Sequence, residues 1–417
     1  MEYISDLHIH SKYSMACSRK ITLAGIDSTC REKGIDLVAT GDFTFPKWFS
    51  AIKEELEEID DSGLYKLKTA EDSRVRFLLA TELALIYKDG GKARRIHVMV
   101  NAPNIESVES LNQYLGKYYN LTADGRPILG LSAPELIRIC HRIHPDFFVY
   151  PAHIWTPWFA VFGSKSGFDS MEECFHDQTP YVYAYETGLS SDPEMNWRLS
   201  ELDGYTLLSS SDAHSLPNLG RESTVFDLSE PSFQEIRDAL RDKNRQKVKY
   251  TIEFYPVEGM YHYDGHRSCG IRSTPKETKK NKGVCPVCKK PLTVGVMYRV
   301  DELADREWGY RPSNASPYIK LVELDKIIAE AFGIKSRHSQ KVQAEYKKIL
   351  QQAGAEIPVL KDVDLEKLKE ITDPRVVEGI RRVREEDLVV EPGFDGQYGN
   401  IKIFTPEEIQ EKQPKLI

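Results

Sequence analysis

The first 255 residues repeat one simple unit, in which a short apolar run is followed by an amphipathic stretch. This alternation is typical of a parallel α/β architecture and predicts seven strands. The predicted strands span residues 2–8, 36–40, 75–81, 95–100, 147–152, 181–185 and 205–210, and helices are expected at 23–33, 47–59, 106–115, 134–143 and 233–240.

An ionisable side chain stands at or near the end of every predicted strand. In a parallel barrel the carboxyl ends of all strands gather at one face, so residues far apart in sequence are expected to meet there. A polar residue that simply begins a loop is the ordinary alternative for any one position, but seven successive strand ends outweigh it. The residues concerned are His8, His10, Asp42, Glu82, His97, His153, Glu186, Asp212 and His214.

The first predicted strand runs into Asp6-Leu7-His8-Ile9-His10. Alternate side chains of an extended strand share a face, so Asp6, His8 and His10 are expected to point the same way. Taken alone, this pattern also fits a half-buried strand with solvated polar residues. Together with the other strand ends it predicts that the two histidines are metal ligands and that Asp6 orients an imidazole.

Such a set of side chains is suited to one kind of chemistry. Histidine nitrogens and carboxylate oxygens bind divalent ions such as Zn, Mn, Mg or Fe. Two or three of these ions favour phosphate ester hydrolysis, because one ion makes hydroxide from a bound water near neutral pH while the others neutralise the phosphate. The sequence has no GxSxG, Walker or dinucleotide-binding motif, so acyl transfer, P-loop hydrolysis and hydride transfer lack support.

A second metal site is indicated by two pairs of ligands with two-residue spacers. His266-Arg267-Ser268-Cys269 and Cys285-Pro286-Val287-Cys288 are separated by fifteen residues. This spacing is typical of a tetrahedral structural zinc site of the zinc-ribbon type, and a module with so little apolar core needs the metal to stay folded. His262 competes with His266 for the fourth position, and the spacing favours His266.

Charge is distributed unevenly along the chain. The formal net charge is −8, yet the segment 266–300 holds nine basic residues and one acidic residue, so it carries +8 and the remainder −16. A basic module on an acidic body is suited to local contact with a nucleic-acid backbone, although a run of lysines also serves solubility.

We therefore predict three domains: a barrel at 1–255, a basic zinc module at 256–300, and a mainly helical region at 301–417. In the last region helices are expected at 320–332, 339–353, 364–371 and 373–384, and a short strand at 400–404. No run of ~18 apolar residues and no signal peptide are present, so the sequence predicts a cytoplasmic protein with no membrane contact.

The strand-end motifs resemble the successive motifs of the polymerase and histidinol phosphatase (PHP) family. The resemblance implies a distorted seven-stranded (β/α) barrel holding up to three ions, with Glu82 as a bridge. The matching motifs are Asp6-Leu7-His8-Ile9-His10-Ser11, Thr40-Gly41-Asp42, Thr81-Glu82, His97, Pro151-Ala152-His153 and Ser211-Asp212-Ala213-His214. The implied ligand sets are His8, His10, Glu82 and Asp212 for one ion, Glu82, His97 and His153 for the second, and Asp42 and His214 for the third.

The third set departs from the family pattern. Asp42 stands where the family commonly has histidine, and Ala16 occupies a position that often supplies a third-site ligand. The neighbouring Cys17 is the remaining candidate for this ion.

Nearly the whole chain resembles the nuclease branch of the PHP family that acts on deaminated bases in DNA. The resemblance implies hydrolysis of the phosphodiester 5′ of hypoxanthine, uracil, xanthine or an abasic site by metal-bound hydroxide. Glu82, Asp212, His214 and Glu186 are the catalytic residues that we predict on this basis.

Reading a lesion usually requires turning the base out of the helix into an apolar pocket. Trp155, Trp158 and Phe159 follow His153 closely, so Trp155 or Trp158 is predicted to stack on DNA, the alternative being that both pack in the barrel mouth. Weaker candidates for phosphate contacts are Lys12, Ser14, Arg19 and Arg221.

Two other functions remain open from the sequence. One is a PHP phosphatase for a small phosphomonoester such as histidinol phosphate, although such a substrate needs no extended basic surface. The other is a DNA-binding factor without catalysis. A sliding-clamp contact through residues 410–417 is a further, weakly indicated hypothesis.

Overall fold

The computed structural model describes residues 1–243, 245–405 and 408, and these form a mixed α/β fold with a helical C-terminal region. The proposed clamp contact at 410–417 lies outside the described residues. The strands are β1 (Glu2–Asp6), β2 (Leu37–Ala39), β3 (Leu56–Glu58), β4 (Leu64–Leu67), β5 (Arg76–Leu78), β6 (Ala80–Asp89), β7 (Lys92–Asn101), β8 (Ile128–Leu129), β9 (Phe148–Pro151), β10 (Ala184–Glu186), β11 (Thr206–Leu208), β12 (Ser223–Asp227), β13 (Val248–Glu253), β14 (Asp264–His266), β15 (Ile271–Ser273), β16 (Tyr318–Lys320), β17 (Val389–Glu391) and β18 (Asn400–Lys402).

The helices cover the sheets in the first part of the chain and pack mainly on one another in the last. They are α1 (Leu23–Lys33), α2 (Pro46–Glu55), α3 (Ile105–Gly116), α4 (Ala133–Ile143), α5 (Met171–Phe175), α6 (Pro193–Asn196), α7 (Phe233–Arg241), α8 (Pro275–Lys280), α9 (Val296–Leu303), α10 (Leu324–Ala331), α11 (Gln340–Ala353), α12 (Glu356–Lys361), α13 (Leu365–Ile371) and α14 (Pro374–Arg384). None of these described helices has the length and hydropathy needed to cross a membrane.

Each of the seven predicted strands overlaps an observed one, and the prediction at 75–81 overlaps both β5 and β6, but these strands belong to three different sheets. An eight-stranded sheet has the order β16-β13-β12-β1-β2-β5-β4-β3, a four-stranded sheet the order β8-β6-β7-β9, and β10 pairs with β11. An isolated bridge between Ile9 and Ala213 links the segments that follow β1 and β11. Residues that follow β1, β9 and β11 lie close to Glu82 near the start of β6 or to one another.

The expectation of uniformly parallel strands is wrong at β7, which is antiparallel to both β6 and β9. The reason is the connection: Gly90 and Gly91 both have positive φ, at 55° and 75°, and form a two-residue turn. Such a turn joins antiparallel strands only, whereas parallel strands need a long crossover.

Several helix boundaries differ from the predicted ones because neighbouring residues pair as strands. The predicted helix 47–59 ends at Glu55, since β3 pairs with β4. The predicted helix 320–332 begins only at Leu324, since β16 pairs with β13. That pairing joins the C-terminal region to the edge of the large sheet. By contrast α1 matches its predicted bounds, with Thr22 capping its start and Gly34 in the left-handed region at its end.

Candidate metal centre

Two histidines of the site lie in the segment that directly follows β1. His8 and His10 are buried, and each is held at Nδ1 by a carboxylate: Glu186 accepts from His8 at 2.9 Å and Asp42 accepts from His10 at 3.1 Å. The Nε2 atoms of both rings are buried without a hydrogen-bond partner. A carboxylate at one ring nitrogen and a free second nitrogen is the arrangement of metal-binding histidines.

Glu82 lies between two groups of histidines. Its Oε1 is 2.8 Å from Nδ1 of His97 and 3.0 Å from Nε2 of His153. Its Oε2 is 3.2 Å from Nε2 of His10 and 3.7 Å from Nε2 of His8. One carboxylate therefore has an oxygen facing each group, which is the geometry that a bridging ligand needs.

The described residues contain three sets of ligand atoms around this centre, and within each set all atoms lie within 4.8 Å of one another. Such a set fits around one divalent ion. The Oδ1 atom of Asp212 is a further buried carboxylate oxygen at this centre, 3.0 Å from Nε2 of His10 and 3.7 Å from Nε2 of His8. The three sets are His8, His10 and Glu82; Glu82, His97 and His153; and His10, Asp212 and His214.

The structure does not bring Asp42 and His214 together as ligands of a third ion, as the resemblance implied. His214 is grouped with His10 and Asp212 instead. Asp42 is used by other partners, because its Oδ2 accepts from the Ser11 backbone N–H at 2.6 Å and from the Ser14 hydroxyl at 2.8 Å. Asp42 therefore fixes His10 and the loop that follows it.

Cys17 does not join any of the three sets. Its side chain is half-buried, and burial raises the pKa of the thiol to about 12. The geometry of the described residues therefore gives no support to Cys17 as a ligand of the third ion.

Asp6 does not orient an imidazole, contrary to expectation. Its Oδ1 accepts from the Ser211 backbone N–H at 3.0 Å and its Oδ2 from that of Gly220 at 2.8 Å. Asp6 thus ties β1 to the loop that carries Asp212, and the imidazole-orienting role falls to Glu186 and Asp42. Burial raises the pKa of Asp6 to about 6.

The buried carboxylates of the centre favour positive charge beside them. Burial alone would lower the pKa of His8, but the carboxylates of Glu186, Glu82 and Asp212 outweigh it and raise that pKa well above its ordinary value. Burial lowers the pKa of His97 to about 4, so this imidazole is neutral at pH 7 and free to bind a metal.

One residue at the centre was missed by the sequence interpretation. Nη1 of Arg126 lies 2.8 Å from Oε2 of Glu82, and the arginine side chain is 23% exposed. An isolated arginine in a loop is usually a solvated surface residue, and no motif marked this one.

The three aromatic residues after His153 have different environments. Trp155 is 1% exposed and its indole N–H donates to Asn196 at 2.7 Å, so the prediction of base stacking does not fit this residue. Trp158 is 42% exposed, and its ring lies 5.6 Å from that of Tyr261. The Phe159 ring lies 4.6 Å from the His97 ring and so covers one side of the metal centre.

The four predicted phosphate contacts are also placed differently. The hydroxyl of Ser14 donates a hydrogen bond to Asp42, and Nε of Arg221 donates to the Ser211 carbonyl at 3.0 Å. Lys12 lies 5.5 Å from the Tyr13 ring centre, and Arg19 is exposed.

The second cluster forms as predicted from the spacing. The ligand atoms of His266, Cys269, Cys285 and Cys288 all lie within 4.8 Å of one another. His262 is not among them: its buried ring lies beside Tyr263. The hairpin β14–β15 supplies the first pair of ligands.

The exposed face of this module is basic. Lys279 is engaged by Asp301 at 2.6 Å, while other lysines project into solvent. The exposed basic residues of the segment are Arg267, Arg272, Lys276, Lys279, Lys280, Lys282, Lys289 and Lys290.

Comparison with known families matches two parts of the chain. The family described as PHP-associated matches residues 195–244, and the MJ0043 C-terminal domain matches residues 323–387. Protein MJ0043 of Methanocaldococcus jannaschii is 32% identical over 263 residues, which are 61% of this chain but 32% of that protein, so the chain spans about a third of this relative. Protein YqxK of Bacillus subtilis is 28% identical over 413 residues, or 95% of this chain and 98% of that protein.

Two solved structures are similar over the full chain. The lesion-specific endonuclease PfuEndoQ of Pyrococcus furiosus is 30% identical with a TM-score of 0.85, covering 100% of this chain and 98% of that one. A complex of endonuclease Q with a 27-mer duplex substrate, with an abasic lesion at the active site, is 30% identical with a TM-score of 0.84, covering 100% and 99%. With this identity over nearly the whole length of both chains, the protein belongs to the endonuclease Q family.

Proposed function

We propose that this protein is a metal-dependent DNA repair endonuclease that hydrolyses the phosphodiester 5′ of deaminated bases, namely hypoxanthine, uracil and xanthine, and of abasic sites. The observation that carries the proposal is that the buried Nε2 atoms of His8 and His10 lie beside the carboxylates of both Glu82 and Asp212, in a chain that matches a lesion-specific endonuclease over its full length. The relative bound to a duplex with an abasic lesion supports DNA as the substrate.

The donor set fits two or three divalent ions. His8, His10, Glu82 and Asp212 are proposed to hold one, Glu82, His97 and His153 a second, and His214 with His10 and Asp212 the third. Zn and Fe suit the histidine nitrogens, while Mn and Mg suit the carboxylate oxygens. Ions bound there supply water activation and neutralisation of the phosphodiester.

The chain's own residues prepare this centre. Glu186 and Asp42 fix the ring orientations of His8 and His10. The two side chains are therefore held in the rotamers that turn Nε2 toward the centre. Phe159 excludes water from the His97 side, and Trp158 is the exposed aromatic ring closest in sequence to the centre. We propose that Trp158 stacks on DNA next to the lesion.

We further propose that residues 1–255 form a distorted (β/α)7 PHP barrel, that 256–300 form a zinc-ribbon-like module, and that 301–417 form a DNA-binding helical domain. The bridge between Ile9 and Ala213 supports closure of the barrel, because it links the ends of β1 and β11. The four clustered ligand atoms of His266, Cys269, Cys285 and Cys288 support one structural zinc.

The proposal is tested by incubating the protein with Mg, Mn or Zn and duplexes that each carry one abasic site, uracil or hypoxanthine. An undamaged duplex and a small phosphomonoester are the parallel substrates. We expect lesion-dependent nicking with a 3′-hydroxyl and a 5′-phosphate at the break. Glu82→Gln should abolish it, while Glu109→Gln, at an exposed residue paired with Lys53, should not.

The other functions give different results in the same assay. Phosphate release from the small ester alone would support a PHP phosphatase. Tight binding of the damaged duplex without nicking under any of the metals would support a non-catalytic DNA-binding factor.

A further inference from the structure

We propose that Arg126 contacts the scissile phosphate and is a catalytic residue of this nuclease. The inference rests on the proposed function, because it needs a phosphodiester at the metal centre. It goes beyond that function by naming a cationic side chain of the protein itself, in a centre otherwise lined by histidines and carboxylates.

The segment Asp124-Gly125-Arg126 is tied on both sides to the loops and strands that form the centre. The backbone N–H of Gly125 donates to the Tyr13 carbonyl at 3.0 Å. On the other side, the carbonyl of Pro127 accepts from Ala84 of β6 at 3.1 Å, two residues from Glu82. Arg126 is thus held between two backbone anchors.

Asp124 adds a third tie. One of its carboxylate oxygens accepts from the Met15 backbone N–H at 3.0 Å, and the other accepts from the backbone N–H of Arg126 at 2.9 Å. The same carboxylate therefore fixes the loop after His10 and the backbone that presents the guanidinium. A surface arginine needs no such support.

Gly125 allows the close approach. A β-carbon at this position would overlap both the Ser14 hydroxyl and the Asp42 carboxylate. Since Asp42 holds His10, the segment lies directly against the groups that orient a metal ligand. Only glycine lets the backbone pass there, and the next residue is the one that carries the positive charge.

The guanidinium is only partly used. Nη1 donates to Glu82 at 2.8 Å, and within the described residues no other side-chain hydrogen bond is made by Arg126. Arginine has five N–H donors in a planar fork, and the side chain is 23% exposed. Donors therefore remain for a ligand that enters from solvent beside Glu82.

A phosphodiester is the ligand that fits this geometry. Its two free oxygens match the guanidinium fork, and its negative charge grows as the attacking and leaving oxygens share the phosphorus. A fixed cation at that point stabilises the transition state more than the ground state. The expected effect of its removal is therefore on the rate of cleavage more than on the affinity for DNA.

The test compares Arg126→Ala and Arg126→Lys with wild type in single-turnover cleavage of a duplex with one abasic site. We expect Arg126→Ala to lower the rate roughly 10²- to 10³-fold, with partial recovery in Arg126→Lys and on addition of millimolar guanidinium. The matched control is Arg138→Ala, which removes an exposed guanidinium paired with Glu135 and Asp177. Metal content and melting temperature are measured for every variant.

A second measurement separates contact with phosphate from support of Glu82. The affinity for duplexes with a phosphodiester or a neutral methylphosphonate at the cleavage position is determined for wild type and Arg126→Ala, as a double cycle. Coupling of threefold or more supports direct contact. Absence of coupling, wild-type cleavage by Arg126→Ala, or a rate decrease fully explained by reduced metal content would each overturn the proposal. If wild type itself fails to nick damaged DNA, it is the proposed function that has failed.

Discussion

Glu186 accepts a hydrogen bond from Nδ1 of His8 at 2.9 Å, and both side chains are completely buried. The same Glu186 oxygen also accepts from the backbone N–H of His153 at 3.1 Å. One carboxylate from β10 therefore positions two residues that lie close to Glu82, His8 after β1 and His153 after β9. Although Glu186 was expected among the catalytic residues, its contacts are those of a positioning residue.

Glu186→Gln should weaken metal binding at the centre by roughly 10- to 100-fold, because the amide is a weaker acceptor and no longer fixes the His8 tautomer. The measurement is metal content after dialysis against graded concentrations of a chelator. Glu109→Gln is the control, and equal metal retention by both variants would contradict the assignment.

Cys269→Ser and Cys285→Ser should each lose one zinc per chain, since the second cluster would keep three ligands of four. Cys17→Ser should retain all its metal, because that thiol stands outside every ligand set. Elemental analysis of the purified variants gives the answer directly. Zinc loss from Cys17→Ser alone would reverse the two assignments.

Trp158→Ala should reduce affinity for a lesion-bearing duplex by roughly 5- to 100-fold, which corresponds to one stacked base, while the melting temperature stays near that of wild type. Trp155→Ala should instead destabilise the fold by roughly 3 to 5 kcal/mol, because a buried indole leaves a cavity. DNA titration and chemical unfolding of both variants distinguish the two roles. Unaltered DNA binding by Trp158→Ala would exclude stacking there.

Neutralising Lys280 and Lys282 should flatten the dependence of DNA affinity on salt, by about 0.9 logarithmic units for each phosphate that is no longer neutralised. Lys279 is a poorer choice, because Asp301 engages its ammonium group. Lys66→Ala, which removes a lysine paired with Glu57, serves as the control. A slope identical to that of wild type would mean that these lysines serve solubility.

We expect the titration of Glu253 to lower the free energy of unfolding as the pH rises. Burial raises the pKa of this carboxyl from 4.5 to about 8, and the nearby Asp192 adds to the shift. Between these pH values the unfolded chain releases a proton that the folded chain retains, so the free energy of unfolding falls with rising pH. The stability conferred by the neutral form is full below pH 4.5 and is lost by about pH 8.

Glu253→Gln removes this titration. Relative to wild type it should gain roughly 3 to 5 kcal/mol between pH 4.5 and 8. Urea unfolding at pH 5, 6, 7 and 8 measures the difference. A constant difference across this range would show that Glu253 does not titrate there.

Most of the metal ligands could be predicted from the sequence, because the end of a strand is visible as a local sequence pattern. A strand that stops shortly before a histidine or carboxylate leaves a local pattern, and His8, His10, His153, Asp212 and His214 all carried it. Glu82 was predicted in the same way, although it lies near the start of β6 and not at a strand end. His97 was predicted as a residue at or near a strand end, and this assignment was wrong. It lies within β7, an antiparallel strand, and reaches the centre because the Gly90–Gly91 turn folds β7 back beside Glu82.

The remaining features depend on contacts that leave no local pattern. Whether Asp6 holds an imidazole or a distant backbone N–H is decided by where residues 211 and 220 arrive in space. Arg126 belongs to the centre only because Gly125 packs against Asp42. Likewise Trp155 and Trp158 are three positions apart in one loop, and only tertiary packing makes one a core residue and the other a surface residue.

Asp395 contacts the segment that carries the second ligand cluster from a distant position in the sequence. Asp395 accepts from the Arg267 backbone N–H at 2.6 Å across 128 positions, and also from the Thr293 hydroxyl at 2.6 Å. Both ligand pairs, His266 with Cys269 and Cys285 with Cys288, precede this aspartate by more than a hundred residues. Loss of the Asp395 carboxylate would therefore remove two contacts that hold this module together, while leaving all four ligands of the second cluster in the chain.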